Sequence, residues 1–152
     1  MATLFILCGM TGSGKSTLAR RLESKHRALR LLPDEWIKRL DLDPRDSAQR
    51  AEIERIMLEI AGRALEGGCD VVLEAGFWSR AERDDARSVA TAAGATARLI
   101  WLDVPLEELK RRIELRNQAL PENTFLVHPG ELDGWMQAFE APTPDEQPEP
   151  PP

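Results

Sequence analysis

Gly9, Gly14, Lys15 and Ser16 occupy every fixed position of the pattern G-x-x-x-x-G-K-[ST], across Gly9-Met10-Thr11-Gly12-Ser13-Gly14-Lys15-Ser16. Residues of these types at this spacing bind phosphate. Glycines let the backbone curl until successive N–H groups face one anion. The helix that follows turns its positive end towards the same charge. Lys15 is long enough to reach β- and γ-phosphates, the Ser16 hydroxyl can hold Mg²⁺, and Thr17 completes the nucleotide-binding set. Nucleotide phosphate binding is the first expectation.

Phosphoryl transfer needs more: a group that takes the acceptor's proton and cations that meet the moving phosphoryl. Asp34 follows the second expected strand, at the edge where open α/β sheets bind ligands. It reads as a general base, or as the cap of a helix from Glu35 to Leu40. Glu74 ends the third strand at the same edge and reads as a ligand for acceptor hydroxyls or hydrated Mg²⁺, or as a solvated carboxylate. Phe77 and Trp78 come next, as an acceptor wall or as core, and Arg80 faces that site if its helix N-terminus does. In the basic run Lys110 to Asn117, Arg112 and Arg116 are four apart and share a helical face. On a lid they would clamp the triphosphate, with Leu109 and Ile113 holding the other face down. The alternative is a solvated face neutralised by Glu107, Glu108 and Glu114. Asp103 reads as a cap for the helix after Pro105, Cys8 as core, and His26 and His128 as ordinary surface residues.

The elements that must position these residues alternate in type. Thr3 to Cys8 is a continuous apolar run, as in a strand buried on both faces. A helix follows from about Gly14 to Lys25, with Leu18, Ala19 and Leu22 as its inner stripe. A short strand is expected over Ala28 to Leu32 and a long amphipathic helix over Ser47 to Glu66, stopped by Gly67-Gly68. Asp70 to Glu74 is the third strand. Ser79 and Glu82 form a capping box for a helix that Gly94 closes. Arg98 to Leu102 is the fourth strand, Leu106 to Asn117 a helix, 117–130 a flexible loop and Leu132 to Glu140 a last short helix. The order implies an α/β fold with a mostly parallel sheet of four to five strands flanked by helices, though no apolar run exists to build a fifth.

The chain has 152 residues with 20 basic and 26 acidic side chains, a net charge of −6. That is enough for one domain with a real core: 1–142 as the domain with a lid at about 106–130, and 143–152 as a disordered or extended proline-rich tail. The acidic balance argues against broad nucleic-acid binding. No apolar run approaches the ~18 residues of a membrane span, no leader is expected, and two cysteines make no disulfide framework, so a cytoplasmic setting is the expectation.

Taken together, the Gly9–Ser16 loop, the Asp34 region, Asp70 to Arg83, Trp101 to Leu109, Arg112 to Asn117 and Phe139-Glu140-Ala141-Pro142 resemble the small P-loop kinases. These include polynucleotide 5′-hydroxyl kinases, chloramphenicol phosphotransferase and zeta-toxin sugar-nucleotide kinases. The resemblance covers about residues 3–142. It implies a P-loop NTPase fold using ATP and Mg²⁺. Lys15 and Ser16 would serve as phosphate and metal residues, Asp34 as base, Arg112 and Arg116 as lid arginines, and Phe139 to Pro142 would lie near the base of the nucleotide. Polynucleotide kinases carry an arginine three residues after the base, and here that position is Ile37. The expected activity is transfer of the γ-phosphoryl to a hydroxyl of a small metabolite or antibiotic. The alternatives are a 5′-hydroxyl nucleic-acid end as acceptor, or an ATP-binding or ATPase module that transfers nothing.

Overall fold

A computed structural model describes residues 1–122 and 124–152. Strand β1 (Thr3–Cys8) carries five consecutive buried residues because both faces of the sheet are covered. It is followed by α1 (Lys15–His26), β2 (Leu29–Leu31), α2 (Pro33–Arg39), α3 (Ser47–Glu66), β3 (Val71–Gly76), α4 (Arg80–Ala92) and β4 (Thr96–Trp101). Helices α5 (Leu106–Gln118) and α6 (Glu131–Ala138) complete the order, with a 3₁₀ turn at Pro144–Glu146. Element types match the expected alternation. The Asp46 side chain accepts from the Ala48 and Gln49 amides to start α3, and the Ser79–Glu82 capping box starts α4.

The four strands are parallel in the order β2-β3-β1-β4. Alternate residues of β1 point to opposite faces, as strand geometry requires. Phe5 and Leu7 pack with Leu18, Ala19 and Leu22 of α1, whereas Leu4, Ile6 and Cys8 pack with Met57 and Ala61 of α3 and Ala86 and Ala90 of α4. The connections leave β1 and β3 towards opposite sides of the sheet. A crevice therefore opens at the carboxyl ends of these two central strands. A third cluster ties the loop after β1 to the last two helices: Met10 packs with Leu109 and Ile113 of α5 and Leu132 of α6.

Two local expectations change. Asp34 does not cap α2, where Leu32 precedes Pro33 at the first helical position and no side chain caps the amides. Asp103 does not cap α5, whose N-cap is Pro105. The segment after Pro142, expected to be disordered or extended, runs through the 3₁₀ turn to the edge of β4. Glu149 makes an isolated parallel bridge to Ile100, accepting from the Trp101 amide at 2.9 Å and donating to the Leu99 carbonyl at 2.8 Å. One residue thus occupies the edge where a fifth strand would lie, and acidic side chains anchor it. Glu149 pairs with Arg98 at 2.5 Å, and Glu146 pairs with Arg83 at 2.8 Å with both side chains wholly buried. Composition marks such a segment as unable to build a core. It does not reveal that arginines elsewhere await its carboxylates.

Candidate active site

The loop from β1 to α1 has the left-handed backbone its glycines permit, with φ of 85° at Gly12 and 97° at Gly14. At Gly12 a Cβ would also come within 3.2 Å of Ile113 Cδ1, so the lid helix packs directly on the loop. Lys15 Nζ lies over the curl, donating to the carbonyls of Gly9 at 3.0 Å and Met10 at 2.8 Å. Desolvation pushes its ammonium down to about 8, against the pull of Glu74 and Asp34. Ser13 Oγ is buried among the loop residues without a hydrogen-bond partner.

Glu74 comes from β3 to the same place. Ser16 Oγ donates to its Oε1, and Arg30 of β2 lies 3.5 Å from its Oε2. Burial raises the carboxyl above its ordinary value. A hydroxyl beside a buried carboxylate that has an otherwise unpartnered oxygen is a donor set suited to a hard cation. Glu74 thus sits beside Ser16 at the start of α1.

Asp34 projects from the first turn of α2. Its Oδ1 accepts from Arg50 Nη2 of α3 at 2.7 Å, and its charge acts on both Lys15 and Arg116. Arg116 donates to the Phe125 carbonyl at 3.4 Å, and its Nε is buried without a partner. Burial pulls this guanidinium below its ordinary value. Arg112 leans over the loop from one turn earlier on α5, 3.4 Å from the Gly12 carbonyl and 3.3 Å from that of Ser13, and Glu108 holds its Nε at 3.0 Å. The shared helical face is real: Leu109 and Ile113 are buried beneath it. Asn117 exchanges hydrogen bonds with Val127 and so pins the loop after α5.

Two expected acceptor residues lie elsewhere. Trp78 donates to the Gly9 carbonyl at 3.3 Å and packs against Trp135 of α6, bracing the phosphate loop from outside. Arg80 turns away to Asp145 at 2.7 Å, Asp84 at 3.5 Å and Thr143 Oγ1 at 3.1 Å. A carboxylate of the C-terminal segment captures the side chain. Glu140, expected near the nucleotide base, accepts from the Arg80 amide and donates its own amide to the Trp78 carbonyl.

Sequence reasoning missed Arg50, Arg30 and Arg83. Arg83 is fully buried and holds the Phe77 carbonyl at 3.0 Å, the Glu140 carbonyl at 2.8 Å and Glu146. Phe77 has a φ of 53°, a conformation costing a non-glycine residue about 1–2 kcal/mol. Arg83 therefore fixes the kink through which β3 leaves the crevice. An arginine in an amphipathic helix reads as solvated, so no local signal marks it.

This parallel sheet, with its glycine-rich loop and an arginine of α5 resting on that loop, defines a P-loop kinase-like domain. Residues 4–142 match the family described as AAA domain, and the chain belongs to that family. The structure is similar to that of the Mycobacterium tuberculosis APS kinase CysC in complex with AMPPNP and APS. That likeness has 27% identity and a TM-score of 0.61, over 78% of this chain and 74% of the other. A gluconokinase from Sinorhizobium meliloti 1021 shares the fold at 17% identity and a TM-score of 0.65, over 98% and 80% of the two chains. The Pnkp1/Rnl/Hen1 RNA repair complex shares it at 22% identity and a TM-score of 0.75, over 90% of this chain and 43% of the other. No curated protein matches the chain significantly. Among the described residues no helix is long and apolar enough to cross a membrane.

Proposed function

We propose that the protein is an ATP-dependent phosphotransferase that moves the γ-phosphoryl group to a hydroxyl of a small molecule. The observation that carries this reading is the glycine-rich loop with Lys15 Nζ folded over it and Arg112 of α5 leaning on its Gly12 and Ser13 carbonyls.

The backbone amides of residues 9–16 and Lys15 hold the β- and γ-phosphates. Ser16 and Glu74 hold Mg²⁺, which when bound neutralises phosphate charge. Asp34 accepts the acceptor's proton as that oxygen bonds to the γ-phosphorus. The bond from phosphorus to the β,γ-bridging oxygen breaks, and ADP leaves with that electron pair. Arg112 and Arg116 stabilise the charge on the moving phosphoryl and shield it from water. Arg50 positions Asp34 without touching substrate.

The test is transfer of label from γ-labelled ATP to hydroxylated metabolites, antibiotics and a 5′-hydroxyl oligonucleotide. Label is expected on a small acceptor, at a rate that changes little between about 50 and 200 mM salt, whereas a polynucleotide acceptor would lose affinity steeply over that range. Absence of label on every acceptor, with ATP bound, would count decisively against transfer. Replacing Arg50 gives a second expected result. Arg50→Ala lowers kcat about 10- to 100-fold and leaves the ATP dissociation constant unchanged, and Arg50→Lys restores part of the loss. A fall in ATP affinity instead would make Arg50 a nucleotide residue.

A further inference from the structure

A second hollow reaches Pro33, the residue before Asp34, on the side of the sheet away from α1. It has a volume of about 280 Å³ and lies between α3 and α4 over the ends of β2 and β3. Its floor is apolar, formed by Met57, Leu73 and Phe77, and its mouth carries three carboxylates, Glu54, Glu82 and Asp85. Pro33 forms part of the wall, so the next residue in the chain is the proposed base, and the Asp34 charge is felt at Glu54. One cation stands at the mouth, Arg55, and it is held along its own helix by Glu52 and Glu59. Glu82 also closes the α4 capping box through Ser79. Glu54 has no hydrogen-bond or ion-pair partner among the described residues. Burial, with the charges of Glu82 and Asp34, pushes its carboxyl up to about 7 against the pull of Arg50.

An apolar floor ringed by carboxylates suits one kind of occupant. Resting on the phosphotransfer reading above, we infer that this hollow is the acceptor subsite and takes a hydroxylated amine with an apolar body, Glu54 receiving the ammonium group. The apolar body sits on Met57, Leu73 and Phe77, and the hydroxyl lies towards Asp34. A cation at the mouth restores the ionised form of Glu54 and relieves its repulsion with Glu82. A polyanion or hydroxy acid meets three carboxylates and is excluded. The resulting selectivity is by charge at a fixed shape.

Three probes that share a benzyl body test this on the full chain with ATP: phenylalaninol, its neutral isostere 2-methyl-3-phenylpropan-1-ol and the anionic phenyllactate, with a 5′-hydroxyl oligonucleotide as a fourth acceptor. The expected kcat/KM falls about tenfold from phenylalaninol to the neutral isostere and further to phenyllactate, with no transfer to the oligonucleotide. Glu54→Gln brings the first ratio close to unity and Glu54→Lys reverses the order. Each ratio is read on one preparation, so partial misfolding lowers both rates and leaves it unaltered. Preference for phenyllactate or the oligonucleotide, or an unchanged ratio in Glu54→Gln, overturns the subsite and leaves phosphotransfer standing. If no probe is labelled while ATP binds, phosphotransfer stays with the wider acceptor screen and calorimetry with phenylalaninol decides the subsite. Binding that Glu54→Gln abolishes upholds an amine site there, and absence of binding overturns it.

Discussion

Asp34→Asn abolishes measurable transfer and leaves ATP binding intact. Loss of a general base costs about 10²- to 10⁴-fold in rate, the largest effect expected of any single change that spares the fold. The amide keeps an oxygen for the 2.7 Å bond from Arg50, so α2 and α3 stay docked and only proton acceptance is lost. Nucleotide affinity rests on the loop amides and Lys15, which the exchange does not touch. Labelled-ATP transfer measured beside calorimetric ATP binding separates the two. Equal transfer rates for the two proteins would remove Asp34 from the chemistry and favour a domain that binds nucleotide without passing on its phosphoryl.

Glu146→Ala carries the largest expected loss of stability. It leaves Arg83 wholly buried and charged, without the carboxylate that meets its Nε at 2.8 Å and its Nη2 at 3.0 Å. Removing one partner of such a pair costs about 3–5 kcal/mol, a large share of a typical domain's stability. For a chain of this size that lowers Tm by roughly 6–20 °C, as scanning calorimetry would show. Arg87 reaches the same carboxylate at 2.9 Å but is partly exposed, so Arg87→Ala costs about 1 kcal/mol or less. Acid gives the complementary reading. Arg83 holds the Glu146 carboxyl down to about 2, from an ordinary value of 4.5. A depressed carboxylate contributes its stability fully above the unfolded value and loses it as pH falls. The wild-type protein therefore weakens between about pH 4.5 and 2. The variant, already without the pair, shows a shallower decline there. Parallel acid curves would mean that the C-terminal segment holds nothing in place.

The two experiments meet at Phe77. Arg83 ties its carbonyl to the C-terminal segment, and Phe77 lies in the floor of the hollow that reaches Pro33. Slackening the segment should therefore loosen the acceptor side before the nucleotide side, whose loop is braced separately by Trp78, Leu109 and Ile113.

The phosphate loop, its flanking strand and helix, and the boundaries of α3 were legible because each is written in contiguous residues. Motif spacing, an unbroken apolar run and a three-and-four apolar stripe are local signals. Arg112 and Arg116 were legible for the same reason, since helical geometry alone puts residues four apart on one face. Arg80 was misread and Arg83 overlooked although both are on α4, three residues apart. Periodicity cannot say which arginine a distant carboxylate will capture. Asp34 stands out after a strand, but Arg50, which pairs with it, comes from another helix sixteen residues on.

By itself, then, the amino-acid order determined that this chain is a phosphate-cradling α/β domain, because a curl of amides around an anion needs only neighbouring residues. Tertiary structure alone decided where Glu74 and Trp78 belong, how the acidic C-terminal segment is anchored and what lines the hollow that reaches Pro33. Those depend on groups far apart along the chain that meet only once sheet and helices have packed, and pairing energies over such separations leave no local pattern to read.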